Sequence, residues 1–190
     1  MRGFTLYVFV PCMMVLAALA LFDFSKATGQ LGRAVVLGLI GGLCAAVAYD
    51  LFRLPFVFAK EWHLTPFVPA LALFKVFPRF GAMILGQSME QGAYSLGAQV
   101  TGWAYHFSNG ATFGIMYLAL VGKVENRHWG WAVLMAIALE AGMLLTPYPR
   151  IFQIPITTHF IAVTLSAHAI FGVILGVSAK RLALVVRLGT

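Results

Sequence analysis

Apolar residues in this chain come in long runs, without the alternation of a half-buried strand or the one-sided spacing of a surface helix. Runs of about 18 or more predict helices that cross a membrane. They fall at residues 4–22, 34–52, 98–121, 129–147 and 156–178. A further apolar stretch, 64–86, is interrupted by Pro66, Pro69, Lys75, Pro78 and Arg79. Prolines so closely spaced break a helix unless neighbours take up the freed carbonyls, so this stretch reads as a poor or re-entrant crossing. The expected fold is all-α: a single polytopic transmembrane bundle of six segments over residues 1–190, with five crossings as the alternative.

Composition sharpens that expectation. The chain is 61% hydrophobic and only 10% charged, against about 25% charged in soluble domains. Its formal net charge of +7 is spread over short gaps between apolar runs and forms no stripe. This argues against nucleic acid and for the positive-inside distribution of a membrane protein. Six segments place residues 123–128, the basic tail with Lys180, Arg181 and Arg187, and both termini in the cytoplasm; five distribute the basic residues almost evenly. Arg2 and the run from Phe4 resemble a secretion signal ending at Ala18-Leu-Ala20, but the run exceeds the usual apolar core of about 7–15 residues, which predicts a retained helix. Cys12 and Cys44 fall inside predicted helices and read as packing residues.

Three rows of small residues then stand out. Gly38, Gly42 and Ala46 lead to Asp50; His106 heads Gly110 and Gly114; His168 heads Gly172 and Gly176. Residues four apart share a helical face, so each row is a groove of bare backbone with a polar group at one end. Such grooves let membrane helices approach closely, and an ionisable residue among them is a functional candidate. Asp50 and Arg53, three apart, can pair on one face, either as a structural ion pair or as a site for an anion or a proton.

Connectivity places Glu140 near the depth of His106, on the following antiparallel helix. His159 is slightly shallower, and His168 deeper than His106 by ~7 Å. His106 and Glu140 are therefore expected to act as one unit. If 64–86 does not cross, Asp50, Arg53, His106, Glu140 and His159 gather on one side. The leading functional expectation is proton or cation handling by Glu140, His106 and His168, with Asn109 nearby. A membrane-embedded metal-dependent hydrolase is the first alternative, with zinc on His106, Glu140 and His168, and Ser108 and Asn109 orienting a substrate oxygen. A b-type haem between His106 and His168 is a further option, opposed by their unequal depth. The last is a non-catalytic subunit or assembly factor whose glycine grooves receive helices of another membrane protein or of a second copy. Gly38, Gly41 and Gly42 lie in an apolar helix without the lysine of a phosphate loop, so nucleotide binding is not expected.

Tyr49-Asp50-x-x-Arg53, Trp103-x-Tyr105-His106-x-x-Asn109-Gly110-x-x-x-Gly114 and His168-x-x-x-Gly172 together resemble a group of small uncharacterised bacterial inner-membrane proteins. The resemblance is a pattern spread over most of the chain. It implies a multi-pass protein of the bacterial inner membrane and carries no activity with it.

Overall fold

Helix boundaries follow local chemistry. Asp23 turns its carboxylate onto the start of the next helix, where Oδ2 accepts the Leu31 N–H at 2.6 Å and the Gly32 N–H at 3.0 Å. Those are donors that a helix cannot satisfy within itself. Ser95 caps another helix by accepting from the Ala98 N–H at 3.2 Å, and that helix stops at Gly122, whose φ of +70° suits glycine. Thr157 Oγ1 caps the last helix through the Phe160 N–H at 3.1 Å.

The computed structural model describes residue 7, residues 10–25 and residues 30–188. Arg2, Phe4 and the side chain of Arg187 lie outside what is described. The helices are α1 (Val10–Phe24), α2 (Gln30–Val57), α3 (Val76–Ile84), α4 (Leu96–Val121), α5 (Gly130–Leu144), α6 (Tyr148–Ile151) and α7 (Thr158–Leu188), with 3-10 turns at Leu73–Lys75 and Val124–Asn126. No strand occurs among the described residues. Helices α2 and α7 are long and apolar enough to cross a membrane; α1 and α5 are apolar but shorter. At 26 residues α4 has the length, but Gln99, His106, Ser108 and Asn109 dilute its first half.

The stretch expected to cross at 64–86 is not a long helix. Turns and irregular chain lead from α2 to α3, with His63 at φ 53°. The nine residues of α3 reach about 14 Å, roughly half of a bilayer's apolar core. Pro66 and Pro69 lack the donors a helix would need there. A short helix and its flanking turns therefore sit where a spanning segment was expected. Helix α3 lies against the first turns of α4, so close that a Cβ on Gly81 would overlap the Ala98 carbonyl and one on Gly102 the Phe77 carbonyl.

Helix α2 is the centre of the bundle, between α4 and α7. Its small-residue row meets the row of α4 head to tail: Gly38 packs on Gly114 and Ile115, and Gly42 on Gly110. The two helices are therefore antiparallel, and residues 58–95 leave and return at one end. On the other side Gly41 faces Ser178 and Leu175, while the Arg33 guanidinium donates to the Ala183 carbonyl at 2.7 Å, so α7 is also antiparallel to α2. Gly172 and Gly176 of α7 bring α5 against it, at Ala132, Val133 and Trp129. These rows are thus filled by the chain's own helices. Although consecutive in sequence, α4 and α5 barely touch. Outward faces are apolar, with Val36, Leu39, Val47 and Leu51 of α2 and Leu120 and Leu134 among those exposed. Cys12 and Cys44 are exposed as well, so neither is a packing residue.

Candidate functional site

Along α2 the residues 49, 50 and 53 lie within one turn of each other, which aims Tyr49, Asp50 and Arg53 at the space between α4 and α7. Arg53 is only 3% exposed. Its Nη1 donates to Asp50 Oδ1 at 3.3 Å and its Nη2 to the Leu73 carbonyl at 2.8 Å. Its guanidinium lies over the rings of Tyr49, Phe74 and Phe77, at 4.7, 5.1 and 5.4 Å from their centroids. The Nε of Arg53 is buried with no partner among the described residues. The other Asp50 oxygen, Oδ2, is 2.8 Å from Nε2 of His106. An ionised carboxylate only accepts, so this nitrogen carries the proton and Nδ1 is left available. Phe77 stacks on the same imidazole at 4.3 Å, and Trp103 meets it edge-on at 5.8 Å. One aspartate thus ties an arginine and a histidine together in an aromatic enclosure.

A second carboxylate–imidazole pair stands across Tyr49. Glu140 is 1% exposed, and its Oε2 is 3.4 Å from Nδ1 of His168. That nitrogen lies closer to the Thr164 carbonyl, at 2.9 Å. Since a carbonyl can only accept, the Nδ1 proton goes to Thr164, and among the described residues neither Glu140 oxygen has a hydrogen bond. A carboxylate so placed requires its own proton or an imidazolium beside it. The Tyr49 ring is 4.9 Å from the His168 ring and 5.9 Å from the His106 ring, so the two pairs share one aromatic neighbour.

Both histidines and Tyr49 line a cavity of about 980 Å³ in the gap between α4 and α5. Arg53, Lys75, Arg79, Tyr148 and Gln153 lie towards the end occupied by α3 and α6, whereas Ala46, Phe113, Ala136 and Phe171 line its depth. Arg79 donates to the carbonyls of Phe152 and Gln153, at 2.5 and 3.3 Å, and Gln153 in turn bonds the Glu90 carboxylate. Tyr148 packs on Phe80 and Phe152 in this cover. Burial, with a smaller contribution from Tyr105, pushes its phenol up from the ordinary tyrosine range.

Of the residues singled out by sequence, Asp50, Arg53, His106, Glu140 and His168 come together around Tyr49, with Asn109 on the same cavity wall. His159 is exposed at the start of α7 and does not join them. The partners differ from expectation: His106 pairs with Asp50, and Glu140 with His168. The expected His106–Glu140 unit assumed that consecutive helices are neighbours, but α2 and α7 lie where α4 and α5 would have met. One Tyr49 ring reaches both histidines. Among the described residues no three His, Cys, Asp or Glu side chains converge as a metal site would need, so the zinc arrangement does not fit. A haem between the histidines would have to occupy the place of Tyr49. Lys75 and Arg79 had counted only as interruptions; their spacing of four, one turn apart in an apolar stretch, was the available signal.

No family model matches the chain, and no curated protein or solved structure matches it either.

Proposed function

We propose that the chain is a multi-pass protein of the bacterial inner membrane in which two carboxylate–histidine pairs take up and release protons beside a lateral cavity, a transport-type role. The observation that carries this reading is the arrangement of Asp50–His106 and Glu140–His168 on either side of Tyr49 at one cavity wall. Support for the membrane setting comes from the exposed apolar faces and from the confinement of buried charge to Asp50, Arg53 and Glu140 among the described residues. Soluble monomers rarely expose large contiguous apolar patches. In this reading α1, α2, α4, α5 and α7 cross, the turns and short helix at 58–95 stay at one face, and the two ends of the chain lie on opposite sides.

Protons are favoured over metal cations because, among the described residues, no three His, Cys, Asp or Glu side chains converge to hold one. An imidazole oriented by a carboxylate is placed to pass a proton on, and a buried carboxylate beside a second imidazole can accept it. The hydrolase alternative retains one supporting observation, since the Asp50–His106 pair has the form of an oriented general base. Against it, no three donors that could hold the zinc converge among the described residues, and Ser108 Oγ, expected to orient a substrate oxygen, is turned to the Tyr105 carbonyl at 2.8 Å. Against the subunit alternative, its grooves are filled internally by α2, α4 and α5.

Reconstitution into vesicles that enclose a pH-sensitive dye tests the reading. Under an imposed pH gradient the intact protein should speed proton entry over protein-free vesicles, and Glu140→Gln and Asp50→Asn should each remove most of that increment. Equal rates in the intact protein and both variants would overturn it.

A further inference from the structure

The wall of the cavity is divided chemically along its length. From Arg53 to Ala46 on α2 is two turns, about 10 Å, and over that distance the lining changes from cationic to apolar. At one end are Lys75 and Arg79. At the other are Phe113, Ala136 and Phe171, with His106 and His168 between. Among the described residues no aspartate or glutamate lines the cavity: Asp50 and Glu140 stand behind the histidines they pair with.

The positive charge at the near end is only partly answered within the protein. Asp50 balances Arg53, yet the Arg53 Nε remains buried and unpartnered. Arg79 holds carbonyl oxygens alone, which orient a guanidinium without cancelling its charge. Lys75 is exposed, and while its backbone N–H bonds the Ala72 carbonyl, its ammonium has no hydrogen-bond or ion-pair partner among the described residues. This end suits an anion. The far end suits a hydrocarbon chain, and the weak contact between α4 and α5 gives that chain a way in from the side. Gly142 stands on this route with no atom within 4 Å of where its Cβ would be. A free inorganic anion would leave the apolar half of an approximately 980 Å³ space unused, and an uncharged lipid would leave the cations unanswered.

We propose that the cavity binds an amphiphile with an anionic carboxylate or phosphate head and a single apolar chain, the head at Lys75 and Arg79 and the chain between α4 and α5. This deepens the proton-handling reading and rests on it: the histidine pairs stand where an anionic head must pass to enter the apolar half, and a proton given there neutralises a carboxylate head or lowers the charge of a phosphate head by one.

Equilibrium binding to the full chain in non-ionic micelles tests the proposal, using radiolabelled oleate and oleyl phosphate as probes at one fixed pH, with oleyl alcohol and inorganic phosphate as competitors. The expected result is saturable binding of at least one oleyl anion, with little competition from the alcohol or from phosphate alone; whichever anion binds names the head. Lys75→Gln should weaken binding roughly tenfold. Gly142→Leu, which fills open space and leaves thermal stability unchanged, should block it. The proposal is overturned if neither anion binds saturably, if oleyl alcohol competes as well as the anions, if phosphate alone displaces them at equal concentration, or if both variants bind like the intact protein. Failure here, with proton entry still lost in Glu140→Gln, removes the ligand and leaves the proton reading standing; binding as expected with unchanged proton entry does the reverse.

Discussion

Replacing Asp50 by alanine removes the one carboxylate that serves both Arg53, at 3.3 Å, and His106, at 2.8 Å. Arg53 is 3% exposed and already has one unpartnered nitrogen. After the substitution its remaining hydrogen bond is to the Leu73 carbonyl, which cannot neutralise it. Stranding a buried charge in this way costs about 3–5 kcal/mol, a large part of the roughly 5–15 kcal/mol that holds a typical domain folded. The double variant Asp50→Ala with Arg53→Met takes away the stranded charge as well. Replacing both members of a buried pair by apolar groups is often close to neutral, so the double variant should recover most of the loss. Reversible unfolding in mixed micelles, followed by circular dichroism, measures all three proteins. A single variant within about 1 kcal/mol of the intact protein, or a double variant no better than the single, would refute the claim that Asp50 holds Arg53 in the fold.

The glycine rows make a separate prediction. Gly110→Leu should destabilise the fold by more than Leu120→Ala, because a Cβ at 110 already lies 2.8 Å from the Ala46 Cβ, whereas Leu120 is 72% exposed. Equal stability of the two variants in micelles would place that face elsewhere. Double-mutant cycles should give coupling for Asp50 with His106 and for Glu140 with His168, and a smaller value for His106 with Glu140; the reverse order would restore the helix pairing first expected from sequence. In a background lacking Cys12 and Cys44, cysteines at Gln30 and Lys180 should label from one face of the membrane and a cysteine at Gly92 from the other; labelling of Gln30 and Lys180 from opposite faces would require residues 58–95 to cross. Tyr148, whose phenol burial shifts upward from 10.0, keeps its proton longer folded than unfolded. Its contribution is complete below the unfolded value and declines as pH rises above about 10. Tyr148→Phe should therefore lose less stability than the intact protein across that alkaline range, and parallel losses in unfolding titrations would count against the buried phenol.

Much of this architecture was legible because membrane-like helices leave long apolar runs and because bare faces advertise close packing. The row from Gly38 to Asp50 and the row from His106 to Gly114 could be read directly, and they prove to be the two halves of one antiparallel contact. The polar residues at their ends then had to meet, as Asp50 and His106 do. What could not be read was the order of the helices around the centre. Sequence adjacency favoured α4 beside α5, whereas the fold leaves those two apart and opens the cavity between them. The reach of residues 64–86 was equally hidden, since apolar content alone does not distinguish a crossing from a short helix folded back on α4. Lys75 and Arg79 acquire meaning only once that fold-back brings them to the cavity wall.

The most direct test of the account is whether Glu140 and His168 exchange a proton inside the folded protein. Infrared difference spectra of the reconstituted full chain, taken between about pH 5 and 8 where imidazole changes charge, report the carbonyl stretch of a protonated carboxylic acid. The account predicts such a band that changes with pH, vanishes in Glu140→Gln and loses its pH dependence in His168→Ala. A spectrum with no titrating carboxylic band, or one that both variants leave unaltered, would contradict it.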